Sequence, residues 1–149
     1  MTDHDGFSQL AELISRVRLE HPSWFRLRGE GPAATEQINE CESALECTLP
    51  SAYKRFVAAY GGGDFAFTLI YSPDPASDVS IVAMNQRPWV QRPGFVAFAD
   101  NGSGDYYGWR VRDGAAVDEV VLLDHTVDDL RSCDFVDFVD FVRSEGLRQ

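Results

Sequence analysis

A chain of 149 residues, 44% hydrophobic and 12% aromatic with 25% charged, has the composition of a globular protein. One domain over residues 1–149 accounts for it, since a domain of this length buries roughly 68–70% of its unfolded surface without metal or disulfide. Its 24 acidic against 13 basic residues give a net charge of −11, which repels phosphate backbones and anionic lipid; it points to a basic protein as partner rather than nucleic acid or membrane, or equally to solubility alone.

Residues 7–19 place Phe7, Leu10, Ile14 and Val17 on one stripe, with Arg16 and Arg18 near the end where cations suit the helix dipole, and so predict an amphipathic helix. His21 to Pro32 carries two Pro and two Gly and reads as a connection. Trp24, Phe25 and Leu27 are too apolar for a free linker, so a short strand or a pinned loop is expected. Thr35 offers an N-cap, and Ile38, Cys41 and Leu45 continue at helical spacing.

Leu45 to Asp64 carries both a start and a stop signal for a helix. Pro50 suits the first turn, where its missing N–H costs nothing, and Tyr53, Phe56, Val57 and Tyr60 recur at helical spacing. Gly61, Gly62 and Gly63 then close it, because glycine takes the left-handed conformation without steric penalty. Phe65 to Tyr71 is a β-type run. Beyond it, Val79–Met84, Phe95–Ala99, Tyr106–Val111 and Val117–Leu123 are further strand candidates. The short turns at Asp100–Asp105 and Arg112–Gly114 require antiparallel neighbours. Ser132 is positioned to cap a last helix with Phe135, Phe138, Val139 and Val142 inward, ended by Gly146. The expected fold is α+β: an antiparallel meander of about five or six strands, with two or three helices before it and one after it against one face.

An LP…Y..F…GG element, here Leu49, Pro50, Tyr53, Phe56, Gly62 and Gly63, resembles the opening signature of the SUKH superfamily. The stretch FVAFADNGSGDYYGWRV, with Phe98 and Gly104, is similar to that family's strand, acidic Gly-rich turn and aromatic strand, and SCDFVDFVDFV to its closing helix. The resemblance covers roughly residues 35–143. It implies a non-catalytic protein-binding domain without cofactor: an immunity protein holding a toxin domain, often a nuclease, inactive in the cytoplasm, or a regulatory adaptor like the fungal members.

The residues themselves offer little for catalysis or metal. Asp100-Asn101-Gly102-Ser103-Gly104-Asp105 fails the calcium-loop pattern, because Gly102, Gly104 and Val111 fall where its third, fifth and twelfth ligands belong. A hairpin turn needing positive φ at its glycines explains it better. His4, His21 and His125 show no metal spacing, and Asn101 breaks the G-x-S-x-G elbow around Ser103. The triple glycine lacks the Lys-Ser/Thr of a phosphate loop. Cys41, Cys47 and Cys133 have no C-x-x-C spacing and read as apolar thiols. No secretory leader and no apolar run of ~20 residues is present, so the expected location is the cytoplasm. For a partner interface the candidates are the loop acids Asp74, Asp78, Asp100 and Asp105, with Trp89 and Tyr107 as aromatic anchors. Strand alternation sets Tyr106 and Gly108 on one face and Tyr107 and Trp109 on the other, so at least one of these pairs belongs to the core.

Overall fold

The protein was analysed as a computed structural model, in which residues 5–149 are described; His4, read as part of a tail, lies outside them. Helix α1, Phe7–Glu20, buries the expected Phe7, Leu10, Ile14 and Val17. Asp5 pins its start. One carboxylate oxygen accepts the Phe7 N–H at 3.0 Å and pairs with Arg55 at 2.8 Å, and the other accepts the Ser51 hydroxyl at 2.6 Å. The connection after α1 is a pinned 3-10 turn, Pro22–Phe25. The Arg18 guanidinium lies 5.1 Å from the Phe25 ring centroid and 5.2 Å from that of Tyr60, joining α1, the turn and α3 (Ser51–Tyr60).

Helix α2, Thr35–Leu45, starts one residue earlier than a Thr35 cap would place it: Ala34 is the cap residue, and Gln37 Oε1 accepts its N–H at 3.0 Å. Pro50 likewise stands at the cap of α3, one residue outside the first turn. Glu42 bridges the two helices, accepting the Leu49 N–H at 2.7 Å and pairing with Lys54 at 3.3 Å. The glycines end α3 as expected, and they do more. A Cβ on Gly61 would sit 1.8 Å from the Gly31 carbonyl oxygen, and one on Gly62 would sit 2.5 Å from Ser72 Cα. Three chain segments therefore cross at this point, and the Glu30 N–H donates to the Gly62 carbonyl at 2.9 Å.

The β-type run after α3 is a two-stranded hairpin rather than one strand. Strands β1 (Gly63–Phe65) and β2 (Thr68–Ile70) pair antiparallel about Ala66-Phe67, with Ala66 at φ 49°. Val79–Met84, expected as a strand, is instead largely the short helix α4, Ile81–Asn85. Ser80 decides this locally, since its hydroxyl accepts the Ala83 N–H at 3.3 Å. Asn85 then turns its side chain onto the next strand, accepting the Ala97 N–H at 2.8 Å and donating to the Ala97 carbonyl at 2.9 Å. One side chain thus satisfies the free backbone edge there.

The main sheet has four antiparallel strands in the order β3 (Phe95–Asp100), β4 (Tyr106–Arg112), β5 (Ala115–Asp124) and β6 (Asp129–Ser132). The meander is as expected, but the sheet does not hold all the strands: β1 and β2 form their own pair, and β6 has no counterpart among the strand candidates. Because Ser132 lies in β6, it cannot cap the last helix. That cap is Asp137, which accepts the Asp140 N–H at 2.9 Å, and helix α5, Phe138–Phe141, continues through a π-helical turn, Val142–Gly146.

The buried side chains form one continuous cluster. At its centre Tyr53, Phe56, Phe98, Trp109 and Phe138, all fully buried, meet mostly edge to face. Ring centroids are 5.4 Å apart for Tyr53–Trp109, 5.6 Å for Tyr53–Phe138, 5.5 Å for Phe56–Phe138 and 4.6 Å for Phe98–Trp109. These contacts bring α3 and α5 onto the Phe98–Trp109 face of the sheet. Tyr53 meets its polar requirement by donating its hydroxyl to the Tyr71 carbonyl at 2.7 Å.

Candidate functional site

At the end of the sheet where β3 turns into β4, the β1–β2 hairpin and the C-terminal segment at Phe141, Glu145 and Arg148 leave a groove of about 450 Å³. Its apolar side is Leu27, 65% exposed, and Phe67, 46% exposed. Alternation alone would set Phe65 and Phe67 on one face; the turn at Ala66, with φ 49°, separates them, so Phe65 is buried in the core and Phe67 is exposed. The edge of Phe67 rests on Trp24, with centroids 5.0 Å apart, and Trp24 stacks on His21 at 3.9 Å. Asp64, Asp100 and Glu145 bring three carboxylates to the same groove.

Two of the six residues read as partner contacts, Asp100 and Tyr107, line this groove. Asp100 is held in place, since it accepts the Tyr71 hydroxyl at 2.6 Å and the Gly102 N–H at 2.9 Å. Burial and this carboxylate together push the Tyr71 phenol well above its usual range. Tyr107 is half-buried against Phe141 at 4.9 Å and Phe135 at 5.8 Å, so it belongs partly to the core. Trp109, on the same strand face, is fully buried.

Asp105 stands beside the groove but is engaged elsewhere. It takes the His125 ring Nδ1 at 2.6 Å and the His125 backbone N–H at 3.0 Å. These contacts hold its carboxyl below the usual carboxylate range. They also tie the β3–β4 turn to the β5–β6 turn. The turn itself is of the expected kind: Asn101 Oδ1 accepts the Ser103 and Asp105 N–H groups, with φ of 75° at Gly102 and 99° at Gly104. Asp105, Asp124 and His125 bring their ligand atoms within 4.8 Å of one another. Donors already occupy the carboxylates, for Asp124 accepts the Thr126 N–H at 2.9 Å and pairs with Arg131 at 3.0 Å. His125 has an orienting carboxylate, but among the described residues no Ser or Cys is bonded to it.

The other three candidates lie apart from the groove. Trp89 is 58% exposed and donates its indole N–H to the Tyr106 hydroxyl at 2.8 Å, on the strand face opposite Tyr107. Asp74 closes its own loop by accepting the Ala76 N–H at 2.9 Å. That loop is anchored through Ser72 and Ser77, whose hydroxyls both donate to Glu30. Asp78 is exposed on the same loop. Conversely, Leu27, Asp64, Phe67 and Glu145 are site residues that sequence reasoning does not single out. Phe67 shares the strand phase of buried Phe65, Leu27 reads only as an apolar residue in a connection, and Asp64 and Glu145 offer no signal.

An α+β framework thus carries a carboxylate-rimmed groove with exposed apolar side chains. The chain belongs to the SUKH superfamily: the family model SUKH_6, described as SMI1-KNR4 cell-wall, matches residues 35–141. A search of curated proteins finds no match. Of the residues that carry the resemblance, Leu49, Pro50, Tyr53, Phe56, Gly62, Gly63 and Phe98 are buried, whereas Gly104 is exposed in the β3–β4 turn. Among the described residues no helix is long and apolar enough to cross a membrane.

Proposed function

We propose that this protein is an immunity protein that binds and neutralises a cognate bacterial toxin domain, a nuclease in the simplest case, through an acidic surface. The observation that carries this reading is the groove: aromatic and aliphatic side chains exposed beside Asp64, Asp100 and Glu145, on a chain of net charge −11. A nuclease must present a basic groove to its substrate. An acidic face seated there excludes that substrate sterically, and its charge steers association toward ~10⁸–10⁹ M⁻¹ s⁻¹ at low salt over an interface of roughly 1,600 Å².

The test is co-expression with the toxin domain encoded beside this gene, scored by cell survival. Rescue is expected, with loss of rescue for Asp64→Lys combined with Glu145→Lys and full rescue by Asp78→Lys on the distant loop. A second reading, a regulatory adaptor unpaired with any toxin, is favoured by the cell-wall description of the matching family. Lack of a neighbouring toxin gene, or no rescue by a well-folded protein, would decide for the adaptor.

A further inference from the structure

The acidic groove already holds a cation from the chain itself. Arg148, in a left-handed backbone conformation at φ 59°, places its guanidinium 4.9 Å from the centroid of the Phe67 ring. Asp64, Asp100 and Glu145 line the same groove, but none of them is ion-paired with this guanidinium, which rests on the ring alone. Among the described residues neither Asp64 nor Glu145 has an ion-pair partner. A half-exposed ring face beside carboxylates suits a guanidinium better than an ammonium. The planar group stacks on the ring while its edge donates to the acids, and it sheds its hydration more readily than an ammonium does.

We propose that this groove docks an arginine side chain from a loop of the basic partner protein, packed over Phe67 and flanked by Leu27, and that Arg148 fills this place until the partner displaces it. The proposal rests on the protein-binding reading above and specifies the chemistry of its contact. Arg148 is then an internal competitor: its removal strengthens binding, although it makes an already acidic chain only one charge more negative. A general electrostatic effect would not distinguish arginine from lysine, whereas a ring-face site does.

The experiment is an NMR titration of the full chain with capped tripeptides, acetyl-Leu-Arg-Leu-amide and its lysine counterpart. The arginine peptide is expected to shift the signals of Phe67, Asp64 and Glu145. It should bind about threefold to tenfold tighter to Arg148→Ala than to the unmodified protein, and at least about threefold more weakly to Asp64→Asn. The lysine peptide should bind several-fold more weakly than the arginine one throughout. Arg148 is exposed and Asp64 half-buried in β1, and unchanged amide signals away from the groove check that both variants keep the fold. Equal or weaker binding to Arg148→Ala, or equal affinity for the two peptides, would overturn the proposal. The immunity reading fails separately: a peptide response as expected without rescue from any toxin removes the toxin and leaves the groove, while rescue with an unchanged Arg148→Ala titration does the reverse.

Discussion

Asp5 and Asp118 show how one fold moves two carboxyl groups in opposite directions. Burial raises Asp118 above the usual carboxylate range. The Phe138 N–H and the Trp109 indole N–H, at 3.0 Å and 3.2 Å, offset this only in part, and Asp137 adds to it. Burial acts on Asp5 in the same sense, but donors from Ser51, the Phe7 backbone and Arg55 outweigh it and hold Asp5 down at about 2. A group with a depressed folded-state value contributes stability above its ordinary value, 3.8 here, and loses it as pH falls toward about 2. Asp118 has the opposite sign: its protonated form is favoured in the fold, so its cost grows as pH rises. Asp5→Asn is therefore expected to lower stability by about 1 kcal/mol at pH 7, through a weakened hydrogen bond from the Phe7 N–H and a lost ion pair with Arg55. It should also flatten the loss between pH 4 and pH 2. Urea unfolding at pH 7, 4, 3 and 2 checks both, and a variant whose deficit stays constant across that range would show that Asp5 is not the titrating anchor.

At the level of elements, the crossing of residues 29–31, 61–63 and 72 fixes how α3 hands the chain to the β1–β2 hairpin that carries Phe67. Gly102 has a positive φ but open space within 4 Å of where a Cβ would project, whereas a Cβ on Gly62 would meet Ser72 backbone at 2.5 Å. Gly62→Ala is therefore expected to cost about 3 kcal/mol, from overpacking that only backbone movement relieves. Gly102→Ala should cost about 1 kcal/mol, from conformation alone. Equal midpoints in urea for the two variants would mean that the crossing yields easily. The long amphipathic helices, the glycine stop and the β3–β5 meander are legible in the sequence because each follows from periodicity or turn chemistry within one segment. Helix α4 is not, because VSIVAM has strand composition and its helix depends on the Ser80 cap and on Asn85 reaching Ala97, twelve residues away. Strand β6 escapes because its DLRS sequence is exposed and polar, without an apolar alternation. The groove is legible only in Asp100 and Tyr107, since Leu27, Asp64, Phe67 and Glu145 come from three distant segments that the fold alone brings together.

For the molecule as a whole, the acidity has two separable effects. Like charges on a compact surface repel, so a net −11 destabilises the folded state at low ionic strength, while the same field attracts a basic partner. Salt acts on both, because the Debye length falls from about 30 Å at 0.01 M to about 8 Å at 0.15 M. Among the described residues the ion pairs that salt would weaken lie mostly at the surface, as for Arg16–Glu20 and Arg131–Asp124, and exposed pairs contribute ~0–1 kcal/mol each. Repulsion therefore outweighs attraction within the free protein, and its melting temperature is expected to rise by a few degrees between 0.01 M and 0.15 M sodium chloride. A melting temperature that falls over this range would show that the carboxylates are balanced by local cations, and that the surface field is weaker than its net charge implies. Binding to a basic partner should respond in the opposite sense, with association slowing as the same salt is added. If the free protein gains stability under conditions where a complex with such a partner forms more slowly, the acidity that the proposed recognition requires comes at a cost to the protein's own fold.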